Sequence, residues 1–158
     1  MDMQDAAERA DEMLDSVLDE VEPSVLWVHG PTTAGNCTVT RRRTVMTVVS
    51  AQRRGSFLGV VDRFWRKSGY RVTSINSHVD APAIYVETQD GFQVSLTVAD
   101  KGQVHFTVDS PCVRRSEVID STSPATAFLD PEARLIPRPN IRSDFWSAGA
   151  PEGAARGA

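Results

Sequence analysis

Ala83-Ile-Tyr-Val-Glu-Thr-Gln-Asp-Gly-Phe-Gln-Val-Ser-Leu-Thr-Val-Ala-Asp-Lys-Gly-Gln-Val-His-Phe-Thr-Val-Asp109 decides the fold class. Successive side chains of an extended strand point to opposite faces. Val94, Leu96 and Val98 therefore share one face, and Val104, Phe106 and Val108 repeat the pattern in the next run. Gln89-Asp90-Gly91 and Asp100-Lys101-Gly102 separate the runs 83–88, 92–99 and 103–109. Both triplets are hairpin signals, because a tight antiparallel turn needs a residue that tolerates positive φ. The stretch predicts an antiparallel meander with one buried face.

Working upstream, Tyr70, Val72 and Ser74 alternate with Arg71, Thr73 and Ile75, which adds a strand. Before it the period is helical. Residues 50–55 read as a turn or helix entry; Phe57, Leu58, Val60, Val61, Phe64 and Trp65 then form a stripe, with Ser56 as a candidate cap and Gly69 at the left-handed terminus. Gly59 inside this helix costs about 1 kcal/mol relative to Ala. Residues 37–49 are dense in Thr and Val and alternate only in part, as in a strand with one wet face. Residues 30–36 read as a loop, and 25–28 as a short strand around Trp27. At the start, Ala6, Ala7, Ala10, Met13, Leu14, Val17, Leu18 and Val21 make an apolar helical stripe, capped by Asp2 or Asp5 and ended by Pro23. Trp27, Phe57, Phe64, Trp65, Tyr70, Phe92 and Phe106 fall at phases that suit a core.

The order is α-β-β-α-β-β-β-β. It implies an α+β domain over 1–113, an antiparallel sheet of about five to six strands with two helices packed on one face. Past Val113 the pattern dissolves into Pro, Ala, Thr and Gly, so 114–158 are expected to form an irregular or disordered tail, with Ile141, Phe145 and Trp146 able to dock as a short anchor. Asp2 and Asp5 at the start are acidic where a signal peptide is basic, and no stretch is apolar enough to span a membrane. Export would need a leader or anchor upstream.

The net charge of −4 divides unevenly. Residues 1–22 carry nine acids and one base, a net of −8, and the remainder carries +4. Either the first helix is attracted to the basic body or it is a solvated acidic surface. Arg41-Arg42-Arg43 with Arg53 and Arg54 offers a possible patch for an anionic partner. In a strand, however, Arg41 and Arg43 share a face and Arg42 takes the other. The competing expectation pairs these arginines with acids of the first helix. The overall acidity argues against a nucleic-acid partner.

His29, His78 and His105 sit at no metal-binding spacing, and no nucleophile elbow, phosphate loop or dinucleotide fingerprint occurs. No cofactor, metal or catalytic residue is expected. Cys37 opens the long strand and Cys112 follows the last one. Either they bridge, if the two strands lie together, or they are two reduced buried thiols of a cytoplasmic protein.

Five stretches occur in a suggestive order: Gly35-Asn36-Cys37-Thr38-Val39, Arg53-Arg54-Gly55, Phe64-Trp65-Arg66-Lys67-Ser68-Gly69-Tyr70, Asp90-Gly91-Phe92 and Ser110-Pro111-Cys112. Over about residues 8–113 this set resembles small lipoproteins and membrane-anchored proteins of actinomycetes, streptomycetes in particular. The resemblance implies an extracytoplasmic setting, and with it the Cys37–Cys112 disulfide, but no activity. The expectation is a non-catalytic envelope domain that binds a protein or envelope component. The alternative is an intracellular interaction domain that engages anions through its arginines.

Overall fold

A computed structural model describes residues 1–99, 102–128 and 138–151. Along the chain come α1 (Met3–Glu20), β1 (Trp27–His29), β2 (Thr33–Ala34), β3 (Val39–Val45), α2 (Ala51–Lys67), β4 (Arg71–Asn76), β5 (Ala83–Glu87), β6 (Gln93–Val98) and β7 (Val104–Asp109). The strands form one antiparallel sheet in the order β1-β3-β7-β6-β5-β4, with β2 paired to β3 beside that path. The α+β class and the order of the main elements are those the periodicity predicts. The additional strand is β2, within the expected loop 30–36.

The register follows from the apolar alternation. Ile84 lies opposite Leu96, and Leu96 opposite Phe106; Val86, Val94 and Val108 make the neighbouring row. A slip of one residue would turn both rows to the wet face, so burial fixes the pairing. Gly91 carries the first hairpin turn at φ 89°. Of the second turn, Asp100 and Lys101 lie outside the described residues.

Both helices cover the same sheet face. From α1, Ala6, Ala7, Ala10, Leu14 and Val17 are buried, and from α2, Phe57, Val61 and Trp65. The alanines leave no bulk between helix and sheet, which lets α1 lie close over β3 and β7. Phe106 meets Phe57 and Trp65, each at 6.3 Å between ring centres. The opposite face carries Arg42, Ser95, Thr97, Thr107 and an exposed Tyr85.

Asp2 caps α1 through a reciprocal box. Its carboxylate accepts from the Asp5 N–H at 2.8 Å, and the Asp5 carboxylate accepts from the Asp2 N–H at 3.1 Å. The cap of α2 is Ser50, not Ser56, because the Ser50 hydroxyl accepts from the Arg53 N–H at 3.2 Å. Gly69 follows the helix at φ 86°, where a side chain would strain the turn. The long run 37–49 is a strand only from Val39 to Val45. Beyond it, Met46 donates its N–H to the Leu26 carbonyl one step further along the β1 register, and Val48 turns away to donate to the Ile141 carbonyl.

The body does not close at 113. The described residues of 114–151 are irregular, but they are held. Arg114 bridges to Asp2, and Ile141 bridges to Thr47. Trp146 is 1% exposed, lies 5.2 Å from Phe57 and donates Nε1–H to the Pro23 carbonyl at 2.6 Å. The Ser147 hydroxyl donates to the Val48 carbonyl at 2.6 Å. A tryptophan in the core outweighs the poor local propensity of its neighbours. The parts of the expected tail at 129–137 and 152–158 lie outside the described residues.

Candidate functional site

Cys37 and Cys112 form a disulfide, and sheet register puts it there. β3 and β7 are neighbours with Thr40 opposite Asp109. Carried three residues further, the same register sets Cys37 opposite Cys112. Their Cα atoms lie 4.8 Å apart, and the Val113 N–H donates to the Cys37 carbonyl at 2.7 Å. The bridge closes 75 residues and joins β3 to β7 across the α2–β6 insertion between them.

The arginines separate by face, as strand geometry requires. Arg41 is 3% exposed and Arg43 is 0% exposed, both beneath α1. They are therefore no surface patch. Arg43 donates to Asp15 at 2.5 Å, lies 3.8 Å from Asp11 and stacks its guanidinium 4.1 Å over the Trp27 ring. Arg41 faces Asp11 at 3.5 Å and donates to the Thr32 hydroxyl and the Ile119 carbonyl, both at 2.8 Å. Buried guanidinium groups need counter-charges, and the acidic helix supplies them. The same network fastens the later chain, since Ser123 donates its hydroxyl to Asp15 at 2.9 Å. Other α1 acids, such as Glu12, Asp19 and Glu20, stay in solvent. Arg53 stacks 4.2 Å over Phe145 and donates to its carbonyl, and Arg54 donates to the Val79 carbonyl at 3.1 Å.

The histidines are dispersed. His29 lies 2.7 Å from the Ser123 carbonyl, and His105 shares a 3.0 Å hydrogen bond with the Thr44 hydroxyl. Burial holds the His105 imidazole below its ordinary value. Among the described residues no three His, Cys, Asp or Glu side chains converge on one point. Also among the described residues, no helix is long and apolar enough to cross a membrane.

A groove of about 460 Å³ lies between α2 and the β4–β5 end of the sheet. Leu58, Ile75, Val79, Pro82 and Ile84 supply its apolar wall, and Arg54, Asp62 and His78 its polar points. Ile75 is 53% exposed and Val79 81%. Gly55 and Gly59 leave the α2 side low, and the Arg63 guanidinium lies back across Gly59. The polar groups are already engaged. Asp62 takes both contacts from Arg66 Nε at 3.0 and 3.1 Å, and His78 Nδ1 accepts from the Asp80 N–H at 3.2 Å. Arg54, Asp62 and His78 form no nucleophile–base pair with one another. Sequence reading missed the groove. Its only signals were two helical glycines in Arg53-Arg54-Gly55 and at Gly59, and an isoleucine on a strand that turns out to be an edge.

The two sheet edges differ. The β1 edge is covered by the chain itself, for Thr126 and Ala127 donate N–H groups to the Trp27 carbonyl at 3.1 and 3.0 Å. At the other edge, β4 pairs among the described residues with β5 alone.

No family model matches the chain. No curated protein matches it either. Among solved structures it is similar to a DUF4853 family protein from Actinomyces odontolyticus, with a TM-score of 0.38 and 11% identity over 85% of this chain and 74% of that one.

Proposed function

We propose that the chain is a non-catalytic domain of the cell envelope that binds a protein or another envelope component outside the cytoplasm. The observation that carries this is the Cys37–Cys112 disulfide, which uses both cysteines and joins two adjacent strands. Such bridges persist in oxidising compartments and are reduced in most cytoplasms. The resemblance to small actinomycete lipoproteins agrees with that setting. The binding part of the reading rests on the α2–β4 groove, whose size falls within the roughly 300–1,000 Å³ of ligand sites and whose polar groups are engaged rather than poised for reaction. Fractionation of cells carrying the native protein, with thiol labelling before and after reduction, tests the setting. The expected result is an envelope fraction with no thiol labelled until reductant is added. A cytoplasmic protein with two free thiols refutes it.

A further inference from the structure

We propose that the outer edge of β4, which no other described strand pairs, takes an extended acidic polypeptide segment as an added strand, with an apolar side chain of that segment seated in the α2–β4 groove. This names the partner class of the binding reading above and rests on it.

Exposed strand edges are templates for another chain, and proteins guard them with lysines, prolines, inward charges, bulges or covering segments. The β1 edge has its cover in residues 126 and 127. Among the described residues β4 is guarded only in its first half, where the register shifts between Val72 and Ser74 and Thr73 bulges out. Ser74–Asn76 resumes regular pairing with β5 and carries no charge or proline. At its centre stands Ile75, half exposed and pointing to the helix side of the sheet, opposite Ile84.

Edge and groove are continuous, because Ile75 and Asn76 belong to both. A strand added beside β4 presents every second side chain to the helix face. One such side chain falls beside Ile75 and enters the space bounded by Leu58 and Val79. Backbone pairing then supplies affinity and the groove supplies selectivity, as in other strand-addition complexes.

Charge selects the occupant. α2 carries Arg53, Arg54, Arg63, Arg66 and Lys67 against the single acid Asp62. Among the described residues, Arg63 and Lys67 pair with no carboxylate. Arg63 lies beside Gly59, and Gly59 belongs to the groove wall. A segment with carboxylates flanking its apolar residue complements this rim. A second copy of the chain does not. Two-fold pairing of β4 with itself would bring two basic α2 helices to the same face of one continuous sheet.

The test titrates the 15N-labelled full chain, disulfide intact, with two short synthetic peptides, one alternating Glu and Val and one alternating Lys and Val. The acidic peptide is expected to shift amides of Ser74–Asn76 and of Leu58–Asp62, to weaken several-fold with added salt, and to bind about tenfold more tightly than the basic one. Ile75→Lys, and separately Arg63→Glu, should lower its affinity about tenfold or more while amides away from β4 and α2 stay in place. Absence of shifts with either peptide overturns the proposal. So does equal binding of both, a response centred on another part of the sheet, or self-association through β4 that the acidic peptide does not disturb. None of these outcomes bears on the compartment, which fractionation and thiol labelling decide separately.

Discussion

Replacing Trp146 by alanine tests whether the chain beyond residue 113 belongs to the folded unit. The indole is 1% exposed, packs edge-on against Phe57 at 5.2 Å and Phe145 at 4.8 Å, and donates to the Pro23 carbonyl at 2.6 Å. A tryptophan removes about 150–250 Å² from water, worth about 4–6 kcal/mol as an upper figure. Core truncations of this kind cost about 3–5 kcal/mol in practice. The carbonyl left without its donor adds about 1–3 kcal/mol, unless water enters the space and accepts the role. We expect a loss of about 4 kcal/mol, a large share of the roughly 5–15 kcal/mol that holds a domain together. Urea unfolding followed by far-ultraviolet circular dichroism reads it as a midpoint lowered by about 2 M for a slope near 2 kcal/mol/M. Trp146→Phe keeps one ring in the pocket but loses the N–H and the indole's second ring, so its loss should lie below that of Trp146→Ala, at about 1–3 kcal/mol. A loss below about 1 kcal/mol for Trp146→Ala would refute the reasoning, since residues 138–151 would then not be docked in solution.

The paired change Cys37→Ser with Cys112→Ser should cost up to about 4–5 kcal/mol, the chain-entropy value for a closure of this length, read in the same unfolding assay with and without reductant on the parent protein. Arg43→Met should cost about 3 kcal/mol, because it leaves Asp11 beneath the helix with Arg41 alone, whereas Arg42→Met on the wet face should cost under about 1 kcal/mol; equal losses would mean the two faces are misassigned. His105 contributes a pH dependence of definite sign. Its folded-state value is depressed by burial, so as pH falls through the ordinary 6.5 the unfolded chain takes up the proton first. Stability is then full above 6.5 and declines below it until the folded imidazole also protonates. His105→Gln should flatten that part of the profile, and an unchanged slope would show that another group causes it.

Much of the fold was legible in local pattern. The meander from β5 to β7 announces itself through alternation and through turns that need positive φ, and both signals act within ten residues of the sites they shape. The helix stripes were equally plain, because α1 and α2 each bury one side and solvate the other. The errors lie where a distant partner outbids local preference. Ser56 resembles a cap, but Ser50 takes that role because its N–H is received by the Trp146 carbonyl and its hydroxyl meets Arg53. Residues 114–151 lack periodicity, and Ile141, Phe145 and Trp146 read only as residues able to dock; the pocket that receives Trp146 exists once the helices and sheet have assembled. The groove was invisible for a related reason. Ile75 reads as an ordinary strand residue until the sheet order makes β4 an edge.

The same division runs through the cysteines and arginines. Sequence by itself determined the α+β class, the two amphipathic helices, the one-sided meander and the opposed faces of Arg41 and Arg42, since these follow from periods of 3.6 and 2 along the chain. It left open whether Cys37 and Cys112 bridge, whether Arg41 and Arg43 meet solvent or the acids of α1, and which strand edge stays bare. Tertiary structure decided all three through strand order. Placing β7 beside β3 sets the cysteines opposite each other, laying α1 over β3 sets Asp11 and Asp15 above the arginines, and ending the sheet at β4 leaves one edge without a neighbour among the described residues. These are contacts between residues tens of positions apart, and no local preference encodes which strands become neighbours.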